Sequence, residues 1–298
     1  MFLTYIFPVS KQALTPTQSL GFLAKEGDPD RFLLTTLAPA DKREALWALL
    51  CFNSEIAKTR FMVTDTTLGL IRLQWWMDTL SRYFETGQVD HTHPFLPQLC
   101  AAISHYKLPM ELFQQLLFAR EFDLEDVSPE TLEGTANYAD LTGTPLLQLC
   151  LHVLGQTDYN TQARHVATAY GLTGIVRSFP WAAAQGLCLL PEDRLAEAGL
   201  TPQDTEKAII PPAVASVLAD ILEEADRQAQ LATSLGALPA FLNAALAIHK
   251  IYAAHIRRAR YDLKILVTKP RPSFFELRLG LRLLAHKNDT MRHTEKPQ

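Results

Sequence analysis

Residues 39–52 read PADKREALWALLCF and predict the start of a long helix. The proline and the acidic side chains stand in the first turn, where a missing N–H is tolerated and negative charge is favoured. Apolar side chains then recur at the three- and four-residue spacing of one helix face, at Ala45, Leu46, Leu49, Leu50 and Phe52. The segment therefore predicts an amphipathic helix that packs on a core.

The same spacing continues along most of the chain. In residues 67–84 one stripe is formed by Leu70, Leu73, Trp76 and Leu80. Further helices are predicted at 95–106, 109–125, 135–155, 161–176, 211–234, 238–260 and 272–286. The alternating β-branched runs that indicate strands do not occur. About nine helices without an evident linker predict a single all-α domain, a helical bundle whose central cavity is the default ligand site.

Composition and length set the class of protein. The chain has 298 residues, of which 48% are hydrophobic and 20% are charged, and its formal net charge is −4. This is typical of a soluble globular protein and unlike disordered, collagenous or disulfide-rich chains. The longest apolar runs fall short of a membrane span, and the first residues show neither a positively charged leader nor a cleavage site. We therefore expect a cytoplasmic protein.

The sequence divides into an N-terminal extension (1–17), the helical domain (18–286) and a disordered tail (287–298). The four cysteines lie far apart in apolar surroundings and form no C-x-x-C pair, so buried reduced thiols are predicted. Phosphate-binding loops, nucleophile elbows and H-E-x-x-H motifs are absent from the sequence. From the residues alone we predict no catalytic residue, no metal ligand and no cofactor.

Charge is distributed unevenly along the chain. Residues 111–140 carry eight acidic side chains and one arginine, whereas residues 250–293 carry eleven Lys or Arg and three acidic side chains. The basic segment could attract phosphates, an anionic membrane surface or an acidic protein, or it could be a solvated face. The candidate contact residues in it are Arg257, Arg258, Arg260 and Lys264. Nucleic acid is not a predicted partner, because no binding motif accompanies these residues and the pI is acidic.

Three stretches, in this order and spacing, together resemble the squalene/phytoene synthase family. They are DRFLLTTLAP (30–39) running into REALWALLCFNSEIA (43–57); LTGIVR (172–177) followed by GLCLLP (186–191) and LAEAGL (195–200); and LPA (238–240) leading to IRRARYD (256–262) and KPR (269–271). The resemblance covers residues 18–285 and implies an isoprenoid-synthase fold. Enzymes of this family join two prenyl diphosphates head to head. Two D-x-x-x-D motifs on facing helices hold the Mg²⁺ ions that bind the diphosphates.

This sequence departs from the family pattern at both motifs. The first motif falls on residues 57–61, where Ala57, Lys58 and Phe61 stand in place of aspartates. The second falls on residues 178–182, where the aspartates are replaced by Ser178 and Ala182, with Trp181 beside them. Glu55 cannot substitute, because two residues place it about 200° around the helix from Ala57. Asp65 lies beyond the first motif.

Pro180 stands inside the second motif. A proline lacks the backbone N–H and disfavours helical geometry at the residue before it, here Phe179. We therefore expect the helix to break or kink at this point.

Three segments resemble a divergent branch of the family that assembles respiratory complex I in mitochondria, together with its bacterial relatives. They are FNSEIA (52–57), RLQW (72–75) and IVRSFP (175–180). The resemblance implies a non-catalytic binding or assembly module, either cytoplasmic or peripheral to the inner membrane. Its partners would be a complex I subunit or other protein, an isoprenoid or lipid in the cavity, and an anionic membrane surface.

The alternative is a true prenyltransferase with relocated metal ligands, and only this alternative requires Mg²⁺. In either case the predicted cavity or ligand-binding residues are Asn53, Ala57, Arg60, Phe61, Tyr170, Arg177, Ser178 and Trp181. We expect Arg177 to face the cavity beside Asn53 and Arg60, where it would bind an anionic head group or satisfy buried polar partners.

Overall fold

A computed structural model describes residues 19–125, 127–207 and 209–294, with side chains described up to residue 284. These ranges contain α-helices joined by turns and short 3₁₀ segments, and no strand. The helices are α1 (Leu20–Gly27), α2 (Pro29–Thr35), α3 (Arg43–Ala57), α4 (Thr59–Met62), α5 (Thr66–Thr86), α6 (Leu96–Tyr106), α7 (Met110–Glu121), α8 (Leu132–Leu154), α9 (Asn160–Ala184), α10 (Glu192–Glu197), α11 (Pro202–Thr205), α12 (Val214–Ser234), α13 (Ala240–Arg258), α14 (Leu263–Thr268) and α15 (Phe275–Thr294). The predicted all-α fold is confirmed.

Helix α9 is the centre of the bundle. It packs against α8, α12 and α13, and α13 packs in turn against α2 and α15. One apolar core lies around α3, α5, α6 and α7, and a second lies around the C-terminal half of α9 with α10, α12 and α14. Residues of α8, α9, α12 and α13 contribute to both cores, so these four helices join the two halves of the bundle.

Small residues let α8 and α9 approach closely. A Cβ atom at Gly171 would lie 3.0 Å from Cβ of Ala139, and one at Gly143 would lie 3.3 Å from the backbone oxygen of Ala167. A methyl group at either position would lie closer than most packing contacts allow, so the neighbouring residue would have to shift by a few tenths of an ångström. This contact fixes α9, which carries the second predicted motif.

Local signals set several helix ends. Asp28 accepts a hydrogen bond from the backbone N of Arg31 (2.9 Å) and so caps α2, which begins with Pro29. Helix α5 buries Gly69, Leu73, Trp76 and Leu80 and ends at Gly87, which has φ of 71°. The predicted stripe is correct except for Leu70, which is exposed.

Of the break or kink expected at Pro180, the break is wrong, and the kink stays a prediction. Helix α9 continues through this residue to Ala184. Phe179, Ala182 and Ala183 are buried around it, so packing on neighbouring helices holds the last turns in place. The sequence also missed α1 and α2 and the short helices α4, α10, α11 and α14.

The predicted boundaries of the chain's ends stay predictions. Residues 1–17 lie outside the described residues, as do residues 295–298. Helix α15 extends to Thr294, past the predicted domain end at 286 and into the segment predicted to be disordered.

All four cysteines are buried free thiols, as predicted. Burial raises the pKa of Cys51 and of Cys150 to about 12 each. None of the helices described here combines the length and apolar character that crossing a bilayer requires.

Candidate functional site

The two predicted motif positions meet through an aromatic contact. Phe61 on α4 and Trp181 on α9 pack edge to face, with their ring centroids 4.5 Å apart and their planes at 65°. Aromatic pairs in this arrangement stabilise one another beyond the area that they bury. The structure therefore brings both predicted motifs together, and apolar rings occupy the space between them.

The remaining motif positions carry no carboxylate. Ala57 is the last residue of α3, and Lys58 joins it to α4. The Ser178 hydroxyl donates to the backbone oxygen of Gly174 in its own helix (2.8 Å). Ala182 is buried. Mg²⁺ requires several oxygen ligands, usually with carboxylates among them, so these side chains do not fit a magnesium ion.

The neighbouring acidic residues are held by other partners. Glu55 forms an ion pair with Arg72. Asp65 caps α5 by accepting a hydrogen bond from the backbone N of Thr67 (2.7 Å), and the hydrogen bonds to Thr67 lower the pKa of this exposed carboxyl. Within the ranges that the structure describes, no three His, Cys, Asp or Glu side chains lie together as metal ligands would.

A buried acidic residue on α2, Asp30, contacts α9 one helical turn before Trp181. Asp30 forms an ion pair with Arg177 of α9 and accepts a hydrogen bond from the Tyr252 hydroxyl of α13 (2.8 Å). Nη2 of Arg271 lies 3.4 Å from the second carboxylate oxygen. The Arg177 guanidinium also lies over the Tyr252 ring, 4.3 Å from its centroid. Asp30 thus connects α2, α9, α13 and the segment before α15.

The network around Asp30 gives Arg177 buried polar partners, which is one of the two roles predicted for it; binding of an anionic head group stays a prediction. Burial alone would lower the pKa of Arg177, but Tyr252 and Asp30 more than offset it and raise the pKa overall. Burial raises the pKa of Tyr252 well above its usual value, so the hydroxyl stays a donor. The structure pairs Arg177 with Asp30 and Tyr252, which the sequence analysis did not name as its partners.

A second ion pair joins Asp28 and Arg31, which lie two residues before and one residue after Asp30 in the chain. Nη1 of Arg31 lies 2.7 Å from the Asp28 carboxylate, and its guanidinium lies over the Tyr170 ring at 4.6 Å. Burial raises the pKa of Tyr170, with the nearby Asp28 adding to the effect. Tyr170 thus lies between the two arginine clusters.

Two cavities lie inside the bundle on either side of Tyr170. One is bordered by Arg177, His249 and Tyr252, and the other by Arg31 and Leu147. Each has a free volume of about 10 Å³, which holds about one water molecule. Small-molecule sites usually enclose about 300 Å³ or more. Neither cavity has room for a prenyl chain.

The other predicted site residues lie on α3 and α4. Asn53 is buried in α3, and its side-chain oxygen has no hydrogen-bond partner within the described part of the chain. Arg60 is half-buried on α4, next to Phe61. Sequence reasoning missed Asp30, although the sequence Asp28-Pro-Asp-Arg31 could have suggested a helix start carrying a second, inward carboxylate.

The predicted basic contact residues divide into two groups. Arg257 forms an ion pair with Asp226, which also lies 3.2 Å from Nε2 of the buried His249. Arg258, Arg260 and Lys264 are exposed. Arg257 is exposed as well, but its ion pair with Asp226 joins α13 to α12, whereas the other three side chains face solvent.

The comparisons with known proteins agree with this architecture. A family model described as squalene/phytoene synthase matches residues 24–275. A solved structure of a dehydrosqualene synthase in complex with ligand superposes with a TM-score of 0.75 at 16% identity, over 92% of this chain and 95% of that one. At this level of identity, the structural match shows a shared fold.

Two curated relatives differ in what their names describe. The complex I assembly factor 6 of NADH dehydrogenase (ubiquinone) from Bos taurus is 27% identical over 249 residues, which is 81% of this chain and 74% of the relative. The presqualene diphosphate synthase of Sinorhizobium fredii is 24% identical over 195 residues, which is 64% of this chain and 68% of that protein.

Proposed function

Because the chain belongs to the squalene/phytoene synthase family, we propose that it is a non-catalytic member that assists the assembly of respiratory NADH dehydrogenase, complex I. One observation carries the proposal. The rings of Phe61 and Trp181 are in contact. Phe61 stands where enzymes of the family would place a metal-binding aspartate, and Trp181 lies beside the two aspartate positions of the second motif.

Physical chemistry links this contact to the loss of catalysis. Ionisation of a prenyl diphosphate requires stabilisation of the leaving diphosphate, and metal ions supply it in enzymes of this kind. Aromatic rings and small apolar side chains at the motif positions supply neither ligands for the metal nor space for the phosphates. The two water-sized cavities near Tyr170 offer no room for the apolar chain.

The buried arginines support the same proposal. Arg177 is neutralised by Asp30, and Arg31 by Asp28. A diphosphate would have to compete with carboxylates that are already in place at 3 Å or less. The Arg177–Asp30 pair joins α9 to α2, and Arg31 of α2 lies over the ring of Tyr170 on α9. We propose that these contacts keep the former substrate space closed and the module rigid.

The proposed function is tested by deleting the gene in the organism that encodes it. We expect complex I to be lost from native gels of its membranes, and NADH:quinone oxidoreductase activity to fall, while succinate dehydrogenase activity is unchanged. Expression of the wild-type chain should restore complex I. Normal complex I in the deletion strain, measured alongside this control, would refute the assembly role.

A matched pair of conservative variants tests for relocated metal ligands. Glu55→Gln can still hydrogen-bond Arg72, and Asp65→Asn can still cap α5. Both substitutions remove a carboxylate near the first motif. We expect each variant to restore complex I as well as wild type does.

The alternative is a head-to-head prenyl diphosphate transferase, which the similarity to presqualene diphosphate synthase favours. Such an enzyme would need carboxylates that face a cavity, which in this chain would have to form when Phe61 and Trp181 separate. If neither the Glu55→Gln nor the Asp65→Asn variant restored complex I in the deletion strain, the result would support this alternative.

A further inference from the structure

Helix α15 is apolar on two opposite faces. Phe275 and Leu279 are buried against the bundle. On the outward side, Leu277, Leu281 and Leu284 expose 60%, 58% and 61% of their surface. Leu277 lies two residues from Phe275, about 200° around the helix. The three exposed leucines, spaced by four and three residues, therefore form one stripe on the far side from the core.

A solvent-facing stripe of this kind is unusual for a surface helix. Such helices normally bury one apolar stripe and present polar side chains on the opposite face. Phe274, immediately before α15, adds to the apolar surface, since it is 75% exposed and held at a φ of 56°. The exposed apolar side chains on the outward face of α15 therefore indicate that this face contacts an apolar surface outside the protein.

Basic side chains lie beside this stripe. Arg278 and Arg282 follow the first and second leucines by one residue, about 100° around the helix. Glu276 is the one acidic side chain of α15 up to residue 284, and it lies 3.3 Å from Nη2 of Arg271.

We propose that the outward face of α15 binds an anionic lipid bilayer, with the leucines at the acyl boundary and the arginines at the phosphates. A helix that lies in the membrane interface combines an apolar face with basic residues in this way. The positive charge beside the stripe complements anionic lipid and selects it over an uncharged apolar partner. The inference does not depend on the assembly role, because a membrane-bound enzyme could use the same face.

A second exposed apolar stripe provides a matched control. On α5, Leu68 and Ile71 expose 53% and 60% of their surface. The nearest charged side chains are Asp65, which caps this helix, and Arg72, which forms an ion pair with Glu55. The basic side chain beside Ile71 is therefore already paired with a carboxylate. Substitutions on α5 therefore remove similar apolar surface without touching the proposed membrane face.

The test measures co-sedimentation of the full chain with phosphatidylcholine vesicles that contain about 30% phosphatidylglycerol. We expect the triple variant Leu277→Gln, Leu281→Gln and Leu284→Gln to bind at least about tenfold more weakly than wild type. Arg278→Gln should weaken binding roughly fivefold at low salt. The control variant Leu68→Gln with Ile71→Gln should bind like wild type.

A labelled variant keeps the test valid if the triple variant folds poorly. Because the native thiols are buried, Leu281→Cys can be labelled selectively with an environment-sensitive fluorophore. We expect a blue shift when anionic vesicles are added, and no shift from the same label at Leu68→Cys. Equal sedimentation of wild type and triple variant, or absence of the shift at position 281, would overturn the proposal. A vesicle-independent dimer that the triple variant abolishes would instead assign the face to a second copy of the chain.

Discussion

Removing the charge of Asp30 should destabilise the protein more than any surface substitution. Asp30→Asn keeps the volume of the side chain but leaves Arg177 without its counter-ion. The Asp30 side chain is 6% exposed and faces Arg177, Arg271 and the Tyr252 hydroxyl. A buried ion pair that loses one partner costs about 3–5 kcal/mol. The Arg177 side chain is 31% exposed, so water screens part of the loss, and we expect about 3 kcal/mol.

A double-mutant cycle separates the pair from its surroundings. Asp30→Asn, Arg177→Met and the double variant are unfolded in urea and followed by helical circular dichroism. We expect the double variant to lose about 1–3 kcal/mol less than the sum of the two single variants, because removing both partners leaves no unpaired charge. The denaturant slope should be unchanged between variants.

A surface pair serves as the control for this cycle. Nε of Arg164 lies 2.8 Å from the Asp140 carboxylate, but the arginine side chain is 62% exposed. Arg164→Met should therefore cost at most about 1 kcal/mol. Additive losses at Asp30 and Arg177, or a cost for Asp30→Asn no larger than that of Arg164→Met, would refute the argument that this network closes the site.

Three further predictions concern thiols, helix packing and the proline. Burial raises the pKa of Cys51 and of Cys150 to about 12, so about one thiol in 10,000 is ionised at pH 8. Alkylation of these thiols in the native protein should therefore be very slow until urea unfolds it. Fast alkylation of the native protein would contradict their burial. Gly171→Ala should lower the free energy of unfolding in urea by about 1–3 kcal/mol. Gly174→Ala, whose Cβ meets open space, should raise it by about 0.5–1 kcal/mol. Equal effects of the two substitutions would contradict the close α8–α9 contact. Pro180→Ala should leave the helical circular dichroism unchanged, and a gain in helix would show that the proline does interrupt α9.

The helices were predictable where local pattern and burial agree. Leu73, Trp76 and Leu80 are buried as their spacing predicts, because one side of α5 faces the core. Leu70 is exposed, although its position on the helix is close to the buried stripe. Periodicity gives the direction of a face, but the width of the buried stripe depends on which neighbours cover it.

Pro180 shows where a local rule fails. The proline removes one backbone donor, yet buried contacts on both sides of it hold α9 helical to Ala184. Helical stability in proteins comes mostly from tertiary packing, which single-sequence reasoning cannot measure.

The sequence could predict the residues of the Phe61–Trp181 contact, but not the Asp30 network. Phe61 and Trp181 were identified through the family resemblance, and the structure places them in contact. Asp30 was missed, because 147 residues separate it from Arg177 and no local pattern pairs them. Long-range ion pairs of this kind follow from the fold and cannot be predicted before it.

The most direct test of the central claim is a product analysis with the purified wild-type chain. The protein is incubated with farnesyl or geranylgeranyl diphosphate and Mg²⁺, beside a presqualene diphosphate synthase as positive control. Since Phe61 replaces a metal-binding carboxylate of the first motif, and Ser178 and Ala182 replace those of the second, we expect no presqualene diphosphate, squalene or phytoene above the level without protein. Product formed by this chain at a rate that depends on Mg²⁺ would contradict the account.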